Sequence, residues 1–253
     1  MVLPDSDWNL PLTLPIEPLQ VESLKDACIS RLEELILSGE LKTGERLPAE
    51  RDLAVRLGVS RPVLHEALVD LSGKGLVTIL PRRGVEVNDF RQSGSMAILS
   101  SLLSYHHGEF DPAFTNSLFE MRSLIETENS HLAALKASPA QIARLEEIIA
   151  SEVTADRNDL PTLVKLDFDL HLQIAIASQN HIYPLIINSF SAVYTHFTGV
   201  FFEKCRFTPV LDEVYVFHRE LVNAIRMHKP EQAKQIMASL LKHGSQKLLE
   251  YMQ

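Results

Sequence analysis

Asp167 and His171 stand four residues apart in Leu166-Asp167-Phe168-Asp169-Leu170-His171, within a run whose apolar residues recur at helical spacing. On a helix two such residues share one face, where a carboxylate beside an imidazole can clasp one divalent ion. His218, in Phe217-His218-Arg219-Glu220, can supply a third ligand from another helix. This donor set suits zinc or nickel and leaves positions open for the carboxylate of a small molecule. Spacing alone equally allows an Asp–His hydrogen bond with an unrelated core histidine. The same cluster around an activated water is also the start of a metal-dependent hydrolase. Such an enzyme wants a general base beside that water, and the nearest candidate, Asp169, points to the far side of the helix. A carrier protein that only holds a ligand is the remaining alternative.

A second group of residues suits nucleic acid. The net charge is −9, which on its own argues against a polyanionic partner. Residues 46 to 85, however, hold seven Lys/Arg against four Asp/Glu, a local +3 on a remainder of −12. A basic module on an acidic body is what a DNA reader with a separate sensing part would show. Within it Ser60, Arg61 and His65 open a helical run whose buried face is Val63, Leu64, Ala67, Leu68 and Leu71. Hydrogen-bond donors near a helix N-terminus are what the major groove requires. Arg51 lies in the preceding helix, and Arg82-Arg83-Gly84 forms a turn between two short apolar runs.

The elements that must position these groups follow from punctuation. Four prolines before residue 19 predict a loosely ordered extension over 1–18, with Trp8 in it. A helix over 19–38 closes at Gly39, a second opens at Pro48 and closes at Gly58, and Ser60 caps a third. Two helices about a tight glycine turn, followed by a basic hairpin over 76–87, make a winged helix-turn-helix over 19–88. Residues 88–93 are a short link. Beyond it helical runs over 94–107, 112–137, 139–155, 160–178, 182–203, 209–228 and 230–252 predict an all-α domain over 94–253. The fold class is therefore mainly α, with one small β-hairpin wing. Residues 172–202 lack any Asp, Glu, Lys or Arg. Their polar interruptions and Pro184 favour a buried helix pair over a membrane span. Two cysteines in no metal or redox spacing, with no leader-like start, make a reducing cytoplasm the simplest setting.

Leu47-Pro48-Ala49-Glu50-Arg51-Asp52-Leu53-Ala54 followed by Ser60-Arg61-Pro62-Val63-Leu64-His65-Glu66-Ala67-Leu68 closely resembles the GntR family of bacterial regulators. The remainder, through Glu120-Met121-Arg122, Asp167 to His171, Ala177-Ser178-Gln179-Asn180 and Phe217-His218, resembles its FadR branch with the FCD effector domain. The resemblance implies a homodimer that binds operator DNA through Arg51, Ser60, Arg61, His65 and the wing residues Arg82, Arg83 and Gly84. Position 65 usually carries arginine in that family, so histidine here implies a weaker or pH-sensitive contact. Metal-binding relatives carry a fourth ligand, a histidine, where this chain has Leu240. His243, about one helical turn on, is the candidate substitute. The uncharged run from Asn180 resembles acyl-CoA-responsive members, which are metal-free. That likeness implies an apolar tunnel lined by Phe190, Tyr194, Phe197, Phe201 and Phe202. The effector expected is thus a small organic acid or an acyl compound, met by Arg122, Asn180 and Tyr194. A salt bridge from Arg122 to Glu126 is the competing role for that arginine.

Overall fold

The computed structural model describes residues 23–106 and 112–251. The extension expected over 1–18, with Trp8, lies outside the described residues.

Three helices and a hairpin form the first unit. In α1 (Leu24–Leu37) the Ser23 hydroxyl accepts from the Asp26 N–H at 3.1 Å, and Gly39 follows at φ +79°. The short α2 (Glu50–Leu57) ends on Gly58 in the left-handed conformation. Ser60 then caps α3 (Arg61–Gly73) through the Val63 N–H at 3.4 Å. Strands β1 (Val77–Leu80) and β2 (Gly84–Val87) pair antiparallel, Val77 facing Val87 and Leu80 facing Gly84. The segment before α2 adds to β2 as well, since Leu47 donates to the Val85 carbonyl and Gly44 to that of Val87. Sequence pattern did not announce this third strand-like piece. Leu32, Leu64, Leu68, Leu71, Leu76, Val85 and Val87 fill the space between helices and hairpin.

The chain after the hairpin folds back instead of leaving. A short helix, α4 (Phe90–Ser93), occupies the expected link. Asn88 donates its side-chain amide to the Gly75 carbonyl at 3.0 Å, and the Ser95 N–H donates to the Lys74 carbonyl at 3.0 Å. Helix α5 (Ile98–Tyr105) then seats Ile98 in the first core, while Leu102 packs on both this core and the next. Beside it Lys74 Nζ lies 2.6 Å from Glu33 and 3.0 Å from the Ser101 hydroxyl, which itself donates to Glu33 at 2.7 Å. One ammonium thus ties the end of α3 to α1 and α5.

The second unit is built from α6 (Pro112–Lys136), α7 (Pro139–Thr154), α8 (Leu160–Ala177), α9 (Tyr183–Ser189), α10 (Ser191–Cys205), α11 (Pro209–Arg226) and α12 (Pro230–Tyr251). Proline sits in the first turn of α6 to α12 except α10, where its missing N–H costs nothing. Helix α6 lies along α12, and α8 runs between α6, α7 and α10. The run expected as one helix over 182–203 is two. They meet at a 65° bend on Phe190, whose backbone leaves the helical region at φ −111°, ψ 20°. Its ring is wholly buried against Ala175, Ile187 and Tyr194, so packing of that ring favours the break over a straight helix. No single described helix is long and apolar enough to cross a membrane; of this bent pair, α10 buries Val193, Tyr194, Phe197, Phe201 and Phe202, whereas α9 buries Ile187 and leaves Leu185 exposed.

Gly75 measures how closely the strap fits. A Cβ there would meet the Ser93 carbonyl oxygen at 2.0 Å, at a backbone φ of +79°. Gly39 has the same φ with open space around it. Gly39→Ala is expected to cost about 1 kcal/mol of stability, the left-handed strain alone. Gly75→Ala should cost roughly 3 kcal/mol, since backbone must also move. Urea denaturation followed by circular dichroism measures both, and equal costs would contradict the close approach.

Candidate functional site

The α6 helix presents a buried stripe of Leu118, Glu126, Asn129, Ser130 and Ala133, with Arg122 beside it. Glu126 is 1% exposed, and such a carboxylate survives only if its charge is met. It is met twice. Arg122, one turn back, lies 2.7 Å away through Nε, and His171 on α8 gives its Nδ1 to the other oxygen. Burial alone would raise the Glu126 carboxyl; Arg122 first, then His171, overcome this and bring it down to about 2. An ionised carboxylate only accepts, so the proton of His171 sits on Nδ1. The Arg122 guanidinium also stacks over the ring of the buried Tyr194 at 4.2 Å, keeping part of its own surface open to a neighbouring cavity.

His218 on α11 repeats the arrangement. It is fully buried, and its Nδ1 lies 2.8 Å from Glu152 on α7. Its Nε2 is buried without a hydrogen-bond partner, 3.8 Å from an oxygen of Asp167. Burial would lower the His218 imidazole, but Glu152 and then Asp167 outweigh it and hold it above its ordinary value. Asp167 accepts from the Tyr194 hydroxyl at 2.9 Å, and burial, then Asp167, push that phenol well above its usual range.

Asp167, His171 and His218 thereby converge, one ligand atom from each lying within 4.8 Å of the others. The three fit a divalent cation. Each ring has its Nδ1 committed to a glutamate, which leaves Nε2 to ligate, and carboxylates behind ligating histidines fix tautomer and orientation. The orphaned Nε2 of His218 is the kind of buried polar atom that calls for a partner. Electrostatics agree: Glu126, Glu152 and Asp167 bring three carboxylates against the single guanidinium of Arg122.

The cluster opens on a cavity of about 70 Å³. Arg122, Asp167, His171 and Tyr194 form its polar wall; Phe119, Phe197, Phe201, Val214, Leu240 and Leu248 are among its apolar lining. Three expectations fail here. His243 does not join the cluster. It turns to Glu213 on α11 at 3.3 Å and stacks near Phe217, whereas Leu240 lines the cavity. Three residues further along a helix is a rise of about 4.5 Å and a rotation of about 60°, enough to aim past the site. Asn180 is also elsewhere. It shapes the turn after α8, accepting from the Ile182 N–H at 2.9 Å. Of the five residues expected to line a tunnel, Tyr194, Phe197 and Phe201 reach the cavity, while Phe190 and Phe202 are core side chains. Arg122 makes the competing Glu126 bridge and also lines the cavity.

Glu152 was missed by sequence reasoning. The signal lay in α7, where Leu145, Ile148 and Glu152 share one buried stripe and a carboxylate occupies an apolar position. Glu126 was foreseen only as a partner for Arg122.

On the first unit Arg51, Ser60, Arg61, His65, Arg82, Arg83 and Gly84 are all exposed. Arg61 and His65 occupy the start of α3, one turn apart, and Arg82 sits at the tip of the hairpin with a left-handed φ of 62°. A non-glycine residue held there stores backbone strain at the tip of the turn.

Comparison with known proteins follows the same division. Residues 24–87 match the family described as bacterial regulatory proteins, gntR family, and residues 117–243 match the FCD domain. The HTH-type transcriptional regulator Mce2R of Mycobacterium tuberculosis is 30% identical over 181 residues, 72% of this chain and 74% of its own. The fatty acid metabolism regulator protein of Yersinia enterocolitica is 31% identical over 171 residues, 68% of this chain and 69% of its own. Among solved structures, E. coli McbR/YncC superposes with a TM-score of 0.53 at 19% identity, covering 92% of this chain and all of that one, a likeness of fold.

Replacing Glu126 by glutamine should leave the Arg122 guanidinium buried without its counter-charge and cost about 3 kcal/mol. The pH dependence has a definite sign. A carboxyl lowered from 4.5 to about 2 contributes stability in full above 4.5 and loses it as pH falls toward 2. Denaturation midpoints from pH 6 to pH 2 should therefore drop more steeply in the parent than in Glu126→Gln below pH 4.5. Parallel curves would contradict the pairing.

Proposed function

The chain belongs to the GntR family of bacterial regulatory proteins and is a DNA-binding transcription regulator; on that premise we propose that a small organic acid bound at the Arg122–Asp167–His171 wall sets its affinity for operator DNA. The observation that carries this is the convergence of Asp167, His171 and His218, the first two lining a cavity that Arg122 also lines. In this reading residues 24–87 bind DNA, the helices from 112 onward bind effector, and two copies occupy the halves of a pseudo-palindromic site.

Asp167, His171 and His218 would hold a divalent cation, zinc or nickel, which supplies positive charge to draw the effector's carboxylate. The chain's own residues do the rest. Glu126 and Glu152 hold the two imidazoles in the ligating tautomer. Arg122, fixed by Glu126 and the Tyr194 ring, adds a second positive charge on the same wall. The apolar lining excludes water, which strengthens both attractions. A volume of about 70 Å³ suits a short acid. For comparison, an apolar cavity of roughly 150 Å³ is what admits benzene.

A longer acyl effector is the second reading, favoured by the name of the Yersinia relative and the phenylalanines beside the polar wall. Such a chain would have to push Leu240, Leu241 and Leu248 of α12 aside. Native mass spectrometry with elemental analysis separates the two. Bound zinc or nickel, lost in His171→Ala and His218→Ala, supports the first. A retained long acyl mass without metal supports the second.

DNA recognition by the proposed residues has its own test. Against a 30-bp duplex enriched from a randomised pool, Arg51→Ala with Arg61→Ala should abolish preference over competitor DNA while leaving metal content intact. Arg82→Ala should weaken binding evenly and reduce the salt slope by about one per protomer if it meets phosphate. Enrichment of no duplex at all would remove the DNA-binding assignment of these side chains.

A further inference from the structure

Glu50 is out of place on a surface meant for a polyanion. It opens α2, directly beside the exposed start of α3, and its carboxylate would repel phosphate. Its side chain is only 21% exposed, because it faces two donors of α3 at once. One oxygen lies 3.5 Å from Nε of Arg61, and the other lies 3.3 Å from Nδ1 of His65. Both partners keep their outer ends free, with side-chain exposures of 71% and 53%. A single carboxylate therefore sets the direction of two side chains one turn apart on the same helix.

The bond to Nδ1 fixes what His65 can offer. With Glu50 accepting, the proton of a neutral ring sits on Nδ1, and Nε2 points outward as an acceptor. Phosphate oxygens and the guanine edge are also acceptors, so a neutral His65 has nothing to give them. A second proton converts Nε2 into a charged donor. Two charged groups face the ring: Glu50 from α2, and Arg61, which shares Glu50, from its own helix. α1 and β1 pack on the opposite, buried side of α3, where Leu64, Ala67, Leu68 and Leu71 lie.

We infer that Glu50 is a positioning residue of the DNA-reading face, aiming Arg61 and His65 together, and that binding duplex DNA draws a proton onto each His65. This rests on the reading of α3 as the recognition helix. The sign follows from linkage: proton uptake raises the imidazole's pKa in the complex, so the added affinity is complete at low pH and disappears as pH rises.

The test uses the full-length protein and the enriched 30-bp duplex, with affinity read by fluorescence anisotropy at fixed salt from pH 6.0 to 8.5. The parent should bind about tenfold more tightly per protomer at the acid end, a one-unit shift at each His65 being a tenfold effect. Its salt slope should also be steeper there by about one per protomer. His65→Arg should bind tightly with no such pH slope, and His65→Gln weakly with none. Glu50→Gln should move the pH profile to lower pH, whereas a purely structural role would lower affinity evenly across the range. The same slope in the parent and in His65→Gln would overturn the proton uptake. An even loss in Glu50→Gln would overturn the positioning role. Loss of DNA binding at every pH in the parent would instead remove the recognition-helix reading on which both stand. His65 is exposed and Glu50 half-buried, and unchanged thermal unfolding checks that all three variants fold.

Discussion

A carboxylate cannot be buried alone, and the second unit is organised around that rule. Glu126 and Glu152 come from α6 and α7, their imidazole partners from α8 and α11, and Asp167 joins α8 to Tyr194 on α10. Five helices are thus pinned by bonds whose loss would strand a charge out of water. Apolar packing makes the bundle compact, but leucine and phenylalanine tolerate small slides that a bidentate glutamate does not. The geometry at the cavity is set by these pairs and inherited by whatever binds there.

Because each imidazole is held from behind, both are presented in one tautomer at one distance. Three carboxylates stand against one fixed cation, and Glu152, then Asp167, hold the His218 imidazole above its ordinary value despite its burial. The same few side chains line the cavity and tie the helices together. A negative group brought to Arg122 would act on the balance that holds α6 against α8.

Much of this was legible in the residues and some was not. The capping serines, Gly58 and the prolines at helix starts act within a few residues of themselves, so Ser60 and Pro209 marked their helices correctly. Asp167 and His171 were readable for the same reason, four positions on one helix being neighbours by construction. Glu152 and His218 are 66 residues apart, and only the bundle brings them together. The break at Phe190 was hidden because it belongs to no helix-breaking residue; the packing of a ring decides it. His243 misled because periodicity gives a face and not a target, and the facing wall turned out to be Glu213.

The polar clasp of Lys74, Glu33 and Ser101, together with the Gly75 contact, bears on how such proteins can be recombined. Ile98 sits in the core of the first unit although it follows the hairpin by eleven positions, and Leu102 belongs to both cores. A chimera cut at the apparent link near residue 90 would leave a hole in its DNA-facing half and strip the Ser101 hydroxyl from the Lys74–Glu33 pair at the end of α3. Reading heads and sensing bodies are exchangeable here only if α5 travels with the head, and its partner surface on α10 must then be matched in the new host.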